Sequence, residues 1–374
     1  IIAVSSRMVI KAVEDLGKRG TRLAVILSAG FSEVGEEGRL MQEELIATAK
    51  KHGIRVLGPN TLGFYDDRQG LFSTFSSAFE LYWPLPGSIA IASQSGAFAL
   101  HIFCSARNRG IGIPLCVTTG NEADINVADA MIDMVLDPQI QVIGVYLEGL
   151  SNADRFIEAL RLAKQHRKPV VVMKAGRSEI GQMAAQSHTA SIAGDDAVFN
   201  AVLEEYAAVR AYSPDEFLDI AYMATKKIYP ENNAMGVITV SGGAGILISD
   251  AAEDLNLPMP ELAQSAQASL KEALSFAAVK NPVDCTAQVI NQPELADQFL
   301  STMLDTQQYP SILAFFAHAA GTASIEAKLR PELKKAVDKH PDHLFVLSII
   351  AEKDTIARYE ADGFAVFEDP IRAT

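Results

Sequence analysis

Ser187-His188-Thr189-Ala190-Ser191 sets one imidazole between small hydroxylated residues. A neutral imidazole nitrogen is a good nucleophile toward phosphorus, because the ring titrates at about 6.5 and is largely unprotonated near neutral pH. His188 is therefore the candidate carrier of a phosphoryl group. Histidine alone does not settle the matter, since His52, His101, His166, His318, His340 and His343 are also present, and the accompanying loops must decide. Ser93-Gln94-Ser95-Gly96 leads from an apolar run into an amphipathic one. There, unpaired backbone N–H groups and the positive end of a helix dipole would face an anion, although a simple N-cap at Ser95 explains the same residues. Thr118-Thr119-Gly120-Asn121 permits a tight turn with close backbone approach to a ligand, or a plain turn. Tyr146-Leu147-Glu148-Gly149 puts a carboxylate at the end of an apolar strand. Bound to one nitrogen of His188, Glu148 would fix the tautomer, free the other nitrogen for attack and stabilise positive charge on the ring; a capping or salt-bridged glutamate is the alternative. Ser93, Gln94, Ser95, Gly96, Gly120 and Asn121 would then surround a phosphate, with His188 as nucleophile and no metal required. The turn Ser241-Gly242-Gly243-Ala244-Gly245 is a further, less specific anion site.

The elements that must position these loops read as α/β. Short apolar runs alternate with amphipathic stretches throughout, the pattern of parallel sheets covered by helices. Residues 1–86 carry strands at Ile1–Val4, Leu23–Leu27 and Ile54–Leu57, a helix over Met41–Lys51 and an irregular stretch from Tyr65 to Pro86. The chain is expected to begin inside this domain. Residues 87–230 hold strands at Ser88–Ala92, Leu115–Thr118, Ile140–Leu147 and Pro169–Met173, a helix over Asn152–His166, and the histidine loop from Lys174 to about Gly194. Residues 231–374 repeat the strand, small-residue turn and helix opening, with strands at Met235–Val240, Ile312–Phe316, Leu344–Ile349 and Phe364–Phe367. The last two blocks read as related flavodoxin-like units, with ligands at the carboxyl ends of the strands.

Composition narrows the function. At 374 residues with a net charge of −14, the chain is long enough for two or three domains and is the wrong sign for a nucleic-acid backbone. An apolar fraction of 49% with 7% aromatics fits buried parallel strands. No apolar run is long enough for a membrane span and no signal peptide is evident, so a cytoplasmic location is expected. Cys104, Cys116 and Cys285 lie far apart without metal-site spacing and read as reduced core residues.

The order of the loops, together with Gly58-Pro59-Asn60-Thr61-Leu62-Gly63, Lys174-Ala175-Gly176-Arg177-Ser178 and Asn281-Pro282-Val283-Asp284, resembles the succinyl-CoA synthetase superfamily. The likeness is strongest to the NDP-forming acyl-CoA synthetases, and it covers essentially the whole chain. It implies a partial Rossmann-like CoA-binding domain followed by two flavodoxin-like parallel-sheet domains. It further implies an acid–thiol ligase working through an acyl phosphate and a phosphohistidine at His188. Glu148 would support that histidine, Ser95 and Gly96 would hold the phosphate, and Asn60 would lie near coenzyme A. Coenzyme A, phosphate and a small carboxylic acid are the implied substrates. ATP or ADP, with Mg, would be bound by an ATP-grasp domain or subunit that this chain does not show, within an oligomer. Two departures stand out: Ala190 replaces the usual glycine after Ser-His-Thr, and Ser241-Gly242-Gly243 replaces an Asn-containing glycine turn. The same superfamily also holds CoA-ligating dimethylsulfoniopropionate lyases, which only product analysis separates from the ligase, and CoA-binding regulatory modules of protein acetyltransferases, which often lose the histidine that this chain keeps.

Overall fold

The structure, a computed structural model, describes residues 1–178, 180, 181, 183 and 196–374. Two compact units are present, Ile1–Thr225 and Lys226–Thr374.

The first unit opens with a small parallel sheet in which β1 (Leu23–Val25) pairs with β2 (Arg55–Leu57). It is flanked by α1 (Ser6–Gly17) and α2 (Glu36–Lys51). Val9, Val13, Ile26, Phe31, Leu45 and Val56 are buried between them. The segment expected as a strand at Ile1–Val4 makes only a single bridge, Ile2 to Ile26. Helix α2 begins five residues before the expected Met41, where Gly35 stops the preceding turn at φ 102°. Glu36 and Glu37 in its first turn and Lys50 and Lys51 in its last complement the helix dipole.

The larger sheet of this unit has the order β4-β3-β6-β5-β7-β8-β9. Strands β3 (Gly63–Asp66) and β4 (Leu71–Thr74) form an antiparallel ribbon laid on the outer edge of β6. The stretch read as irregular between Tyr65 and Pro86 thus contains the end of β3, all of β4 and a short helix, α3 (Ala78–Leu81). Aromatic packing explains the ribbon: Tyr65, buried, stacks on Phe72 at 5.9 Å and meets Phe79 and Phe103 edge-on. The other five strands, β5 (Ile89–Ser93), β6 (Leu115–Thr118), β7 (Val142–Leu147), β8 (Val170–Lys174) and β9 (Val209–Arg210), are mutually parallel. Helices α4 (Gly96–Asn108), α5 (Val127–Leu136) and α6 (Ala153–Gln165) cover them, with Phe156, Leu160, Met131 and Val135 buried on their inner faces.

The second unit is one parallel sheet, β11-β10-β12-β13-β14, made of β10 (Met235–Thr239), β11 (Val283–Asp284), β12 (Ser311–Ala317), β13 (Leu344–Ile349) and β14 (Ala365–Phe367). Both five-strand sets share one order: second, first, third, fourth, fifth. That is the flavodoxin-like winding, with the crevice between the first and third strands. Asn281, in the Asn-Pro-Val-Asp stretch, is structural here. Its Oδ1 accepts from Val237 N at 2.9 Å and its Nδ2 donates to Met235 O at 2.8 Å, closing the edge of β10.

Candidate active site

In the first unit the switch point lies between β5 and β7, and the two loops leaving those strands meet there. Helix α4 starts at Gly96, with Ser95 as its N-cap and the Ser95 hydroxyl accepting from Phe98 N at 3.4 Å. Among the described residues nothing accepts from the N–H groups of Gly96 and Ala97, which are the donors an anion would use. Gly96 is required at this place because a Cβ would sit 2.5 Å from Leu62 Cγ. Ser93 is fully buried, and its hydroxyl donates to Ser95 O at 2.7 Å, so its side chain shapes the turn.

Gln94 joins the two loops. Its Oε1 accepts from Glu148 N at 2.5 Å and Gly149 N at 3.1 Å, while its Nε2 donates to Gly149 O at 2.7 Å and to Glu122 Oε2 at 3.0 Å. Glu148 therefore leaves β7 with its backbone tied to the start of α4, and its half-buried side chain lies beside Tyr146. Burial, reinforced by the Glu148 carboxylate, pushes the Tyr146 hydroxyl up to about 12. Phe98 packs on the same ring at 4.3 Å.

Glu122 is the site residue that sequence reasoning misses. Thr119 Oγ1 and Val127 N donate to its Oε1 at 3.0 and 2.7 Å, and Ser151 Oγ donates to its Oε2 at 2.8 Å alongside Gln94. Burial pushes its carboxyl upward, and these hydrogen bonds oppose that shift. The only local signal is its place one residue beyond a Gly-Asn turn, which a solvated glutamate would share.

Gly120 and Asn121 belong to a different part of the site. Asn121 donates through Nδ2 to Glu33 Oε2 at 2.5 Å and Gln42 Oε1 at 3.1 Å, and accepts from Asn60 Nδ2 at 3.2 Å. Its side chain thus stitches the small sheet to the large one. Burial of Glu33 is outweighed by hydrogen bonds from Asn121, Gly30 and Phe31, leaving that carboxyl below its ordinary range. The seam continues through the backbone, with Asn121 N on Pro59 O at 3.0 Å, Ala123 N on Gly58 O at 3.2 Å and Ile125 N on Val56 O at 3.0 Å. Gly120 adopts φ 60°, and a Cβ there would lie 2.4 Å from the carbonyl oxygens of both Pro59 and Asn60. Gly120→Ala is expected to destabilise the first unit by about 2 kcal/mol, read as a lower urea midpoint; an unchanged midpoint would show that the seam yields freely.

Asn60 itself is exposed at the carboxyl end of β2 with φ 56°. One hydrogen of its Nδ2 goes to Asn121, which leaves the second hydrogen and the side-chain oxygen. His188 lies outside the described residues, as do Ser187, Thr189 and Ala190. The flanks of that segment are described. Lys174 at the end of β8 and Arg210 in β9 converge on Asp196, with Arg210 bidentate at 2.8 and 2.9 Å and Lys174 Nζ at 3.3 Å. Phe199 lies under both cations at 5.4 and 5.7 Å. Among the described residues no group of His, Cys, Asp and Glu could hold a metal ion, and no helix is long and apolar enough to cross a membrane.

The chain is similar to a known group of enzymes. The succinyl-CoA ligase-like flavodoxin domain matches residues 86–224. The alpha subunit of ADP-forming acetate–CoA ligase I from Pyrococcus furiosus is 30% identical over 100% of this chain and 80% of its own length. An ADP-forming acetate–CoA ligase of Methanocaldococcus jannaschii is 36% identical over 76% of this chain but 39% of its own length. Among solved structures, the dinucleotide-forming acetyl-coenzyme A synthetase 1 of Candidatus Korarchaeum cryptofilum, in complex with phosphate and ADP, superposes with a TM-score of 0.84. It is 28% identical and covers 100% of this chain and 79% of that one. The chain belongs to the ADP-forming acyl-CoA ligases. The lyase and regulatory-module readings find no support among these relatives.

Proposed function

We propose that this chain carries the acyl-phosphate and phosphohistidine half of an ADP-forming acyl-CoA ligase, with His188 as the phosphoryl carrier and Glu148 as its orienter. A phosphate oxygen attacks the thioester carbonyl of acyl-CoA; the C–S bond breaks, and the thiolate leaves and takes up a proton. The unprotonated nitrogen of His188 then attacks phosphorus, the P–O bond to the acyl group breaks, and the carboxylate leaves with the electron pair. What supports this reading is the convergence, through Gln94, of the open N-terminus of α4 with the Glu148 loop at the β5/β7 crevice. The N–H groups of Gly96 and Ala97 would offset the two negative charges of the transferring phosphoryl group, with Ser93, Gln94 and Ser95 shaping the turn.

The block 1–86 would contribute to coenzyme A binding near Asn60, 87–230 would carry the phosphohistidine chemistry, and 231–374 would form the second flavodoxin-like domain. ADP or ATP with Mg would be handled by an ATP-grasp domain or subunit, within an oligomer, so the small carboxylic acid, coenzyme A and phosphate are this chain's own partners. All three cysteines carry free thiols, which supports a reducing, cytoplasmic setting. The test is to incubate the full-length enzyme with acetyl-CoA and labelled inorganic phosphate. One acid-labile, base-stable phosphate per chain is expected; no label on an enzyme that binds acetyl-CoA would overturn the proposal.

A further inference from the structure

We infer that Glu122 is a positioning residue for phosphoryl transfer: its carboxylate sets the orientation of the Gln94 amide, and Gln94 in turn holds the Glu148–Gly149 backbone at the crevice. The inference rests on the phosphohistidine reading above and adds to it the residue that fixes the orienting loop. An ionised carboxylate only accepts, whereas a glutamine amide has one accepting and one donating end. All four acceptor positions of Glu122 are filled by donors: Thr119 Oγ1 and Val127 N on one oxygen, Gln94 Nε2 and Ser151 Oγ on the other. Gln94 must therefore turn its NH2 group toward Glu122. Nε2 then gives its second hydrogen to Gly149 O, 2.7 Å from the nitrogen, and the amide oxygen is left to receive Glu148 N and Gly149 N at 2.5 and 3.1 Å. Turning the amide over would break all four of these contacts and set donor against donor at Glu148 and Gly149. The buried carboxylate thus acts at one remove on the residue that orients the histidine, as outer partners of catalytic groups do.

Glu122→Gln keeps the shape and changes the chemistry. Val127 N–H cannot reverse, so the new amide keeps its oxygen there and presents NH2 to Gln94 Nε2. That conflict sets two donors against each other and pushes the Gln94 amide out of line, loosening its hold on the Glu148–Gly149 backbone. Adding Gln94→Glu supplies an acceptor for the new NH2 group and keeps acceptors for Glu148 N and Gly149 N, at the cost of the bond to Gly149 O, which then faces a carboxylate oxygen and makes the recovery partial. In rapid-quench experiments with acetyl-CoA and labelled phosphate, Glu122→Gln is expected to slow His188 phosphorylation by about 10–100-fold with KM for acetyl-CoA unchanged. The double variant is expected to recover about tenfold of that loss. Ser151→Ala removes one donor from the same carboxylate without touching Gln94, and is expected to phosphorylate at the wild-type rate. A wild-type rate in Glu122→Gln, an equal loss in Ser151→Ala, or no recovery in the double variant overturns the inference. If Glu122→Gln does not fold, Gln94→Ala reports on the same link, with the same slowing expected and a wild-type rate overturning it. Absence of label from the wild type instead overturns the phosphohistidine reading itself, and this inference with it.

Discussion

His188→Ala should take up no acid-labile phosphate from acetyl-CoA and labelled phosphate, while Glu148→Gln should take it up on the order of 10³-fold more slowly than the wild type. The two losses differ in kind. Without the imidazole no nitrogen attacks phosphorus, and the reaction stops at the acyl phosphate, which accumulates and can be trapped with hydroxylamine. With the imidazole present but its orienting carboxylate made neutral, the tautomer is no longer fixed and the charge that develops on the ring is no longer offset. Tyr146 gives an independent readout. Its hydroxyl is pushed up to about 12 by burial and then by Glu148, so Glu148→Gln should lower its titration midpoint in ultraviolet absorbance. Burial should still hold that midpoint above the ordinary tyrosine value. Full labelling in His188→Ala would move the phosphate to another residue, and an unshifted Tyr146 in Glu148→Gln would show that the carboxylate does not act on that ring.

Asp196→Ala should cost the first unit about 3 kcal/mol at neutral pH, because it leaves Lys174 and Arg210 without their carboxylate. Their side chains are only 4% and 6% exposed, and among the described residues Arg210 Nε already lacks a partner, so neither cation can turn to water. Asp196 is 30% exposed, which places the cost at the lower end for a broken buried pair. The hydrogen-bonded Arg210 guanidinium holds the Asp196 carboxyl below its ordinary range against the effect of burial. The folded state therefore binds this proton less readily than the unfolded chain. Its contribution is fully present above the unfolded value of about 4 and fades as the pH falls through the lower, folded one. Wild type and variant should thus differ most near pH 7 and converge in strong acid, measured as urea midpoints at a series of pH values. A gap that persists unchanged below pH ~2 would show that the loss comes from packing and not from charge.

Much of the architecture is legible in the residues themselves. The strands at Leu115–Thr118 and Leu344–Ile349 coincide with β6 and β13, because buried parallel strands are unbroken β-branched and aliphatic runs. The ribbon β3–β4 is not legible. Gly63-Phe64-Tyr65-Asp66 and Leu71-Phe72-Ser73-Thr74 are short and lie among Gly, Pro and polar residues. Aromatic contacts from distant Phe79, Phe103 and Trp83 hold them. The site divides in the same way. Ser95 and Gly96 announce themselves as a helix start, and Glu148 as a strand end, through local sequence alone. Asn121 does not reveal that it faces Glu33, Gln42 and Asn60, 88, 79 and 61 residues away. Glu122 looks like any surface carboxylate until two donors of its own loop, Thr119 and Val127, and two from other loops, Gln94 and Ser151, close around it.

The ribbon also limits how the molecule can be divided. The matched flavodoxin domain starts at residue 86, after β3 has been laid along β6 and β4 along β3. A polypeptide cut there would bare the outer rim of β6, with Tyr65 no longer covering Cys116 and the amides once paired to Phe64 and Asp66 facing solvent. A naked apolar rim of this kind recruits strands from other copies. The homologous segment alone thus leaves its sheet with an open edge, and a piece of the first unit that keeps that edge covered must start before Gly63.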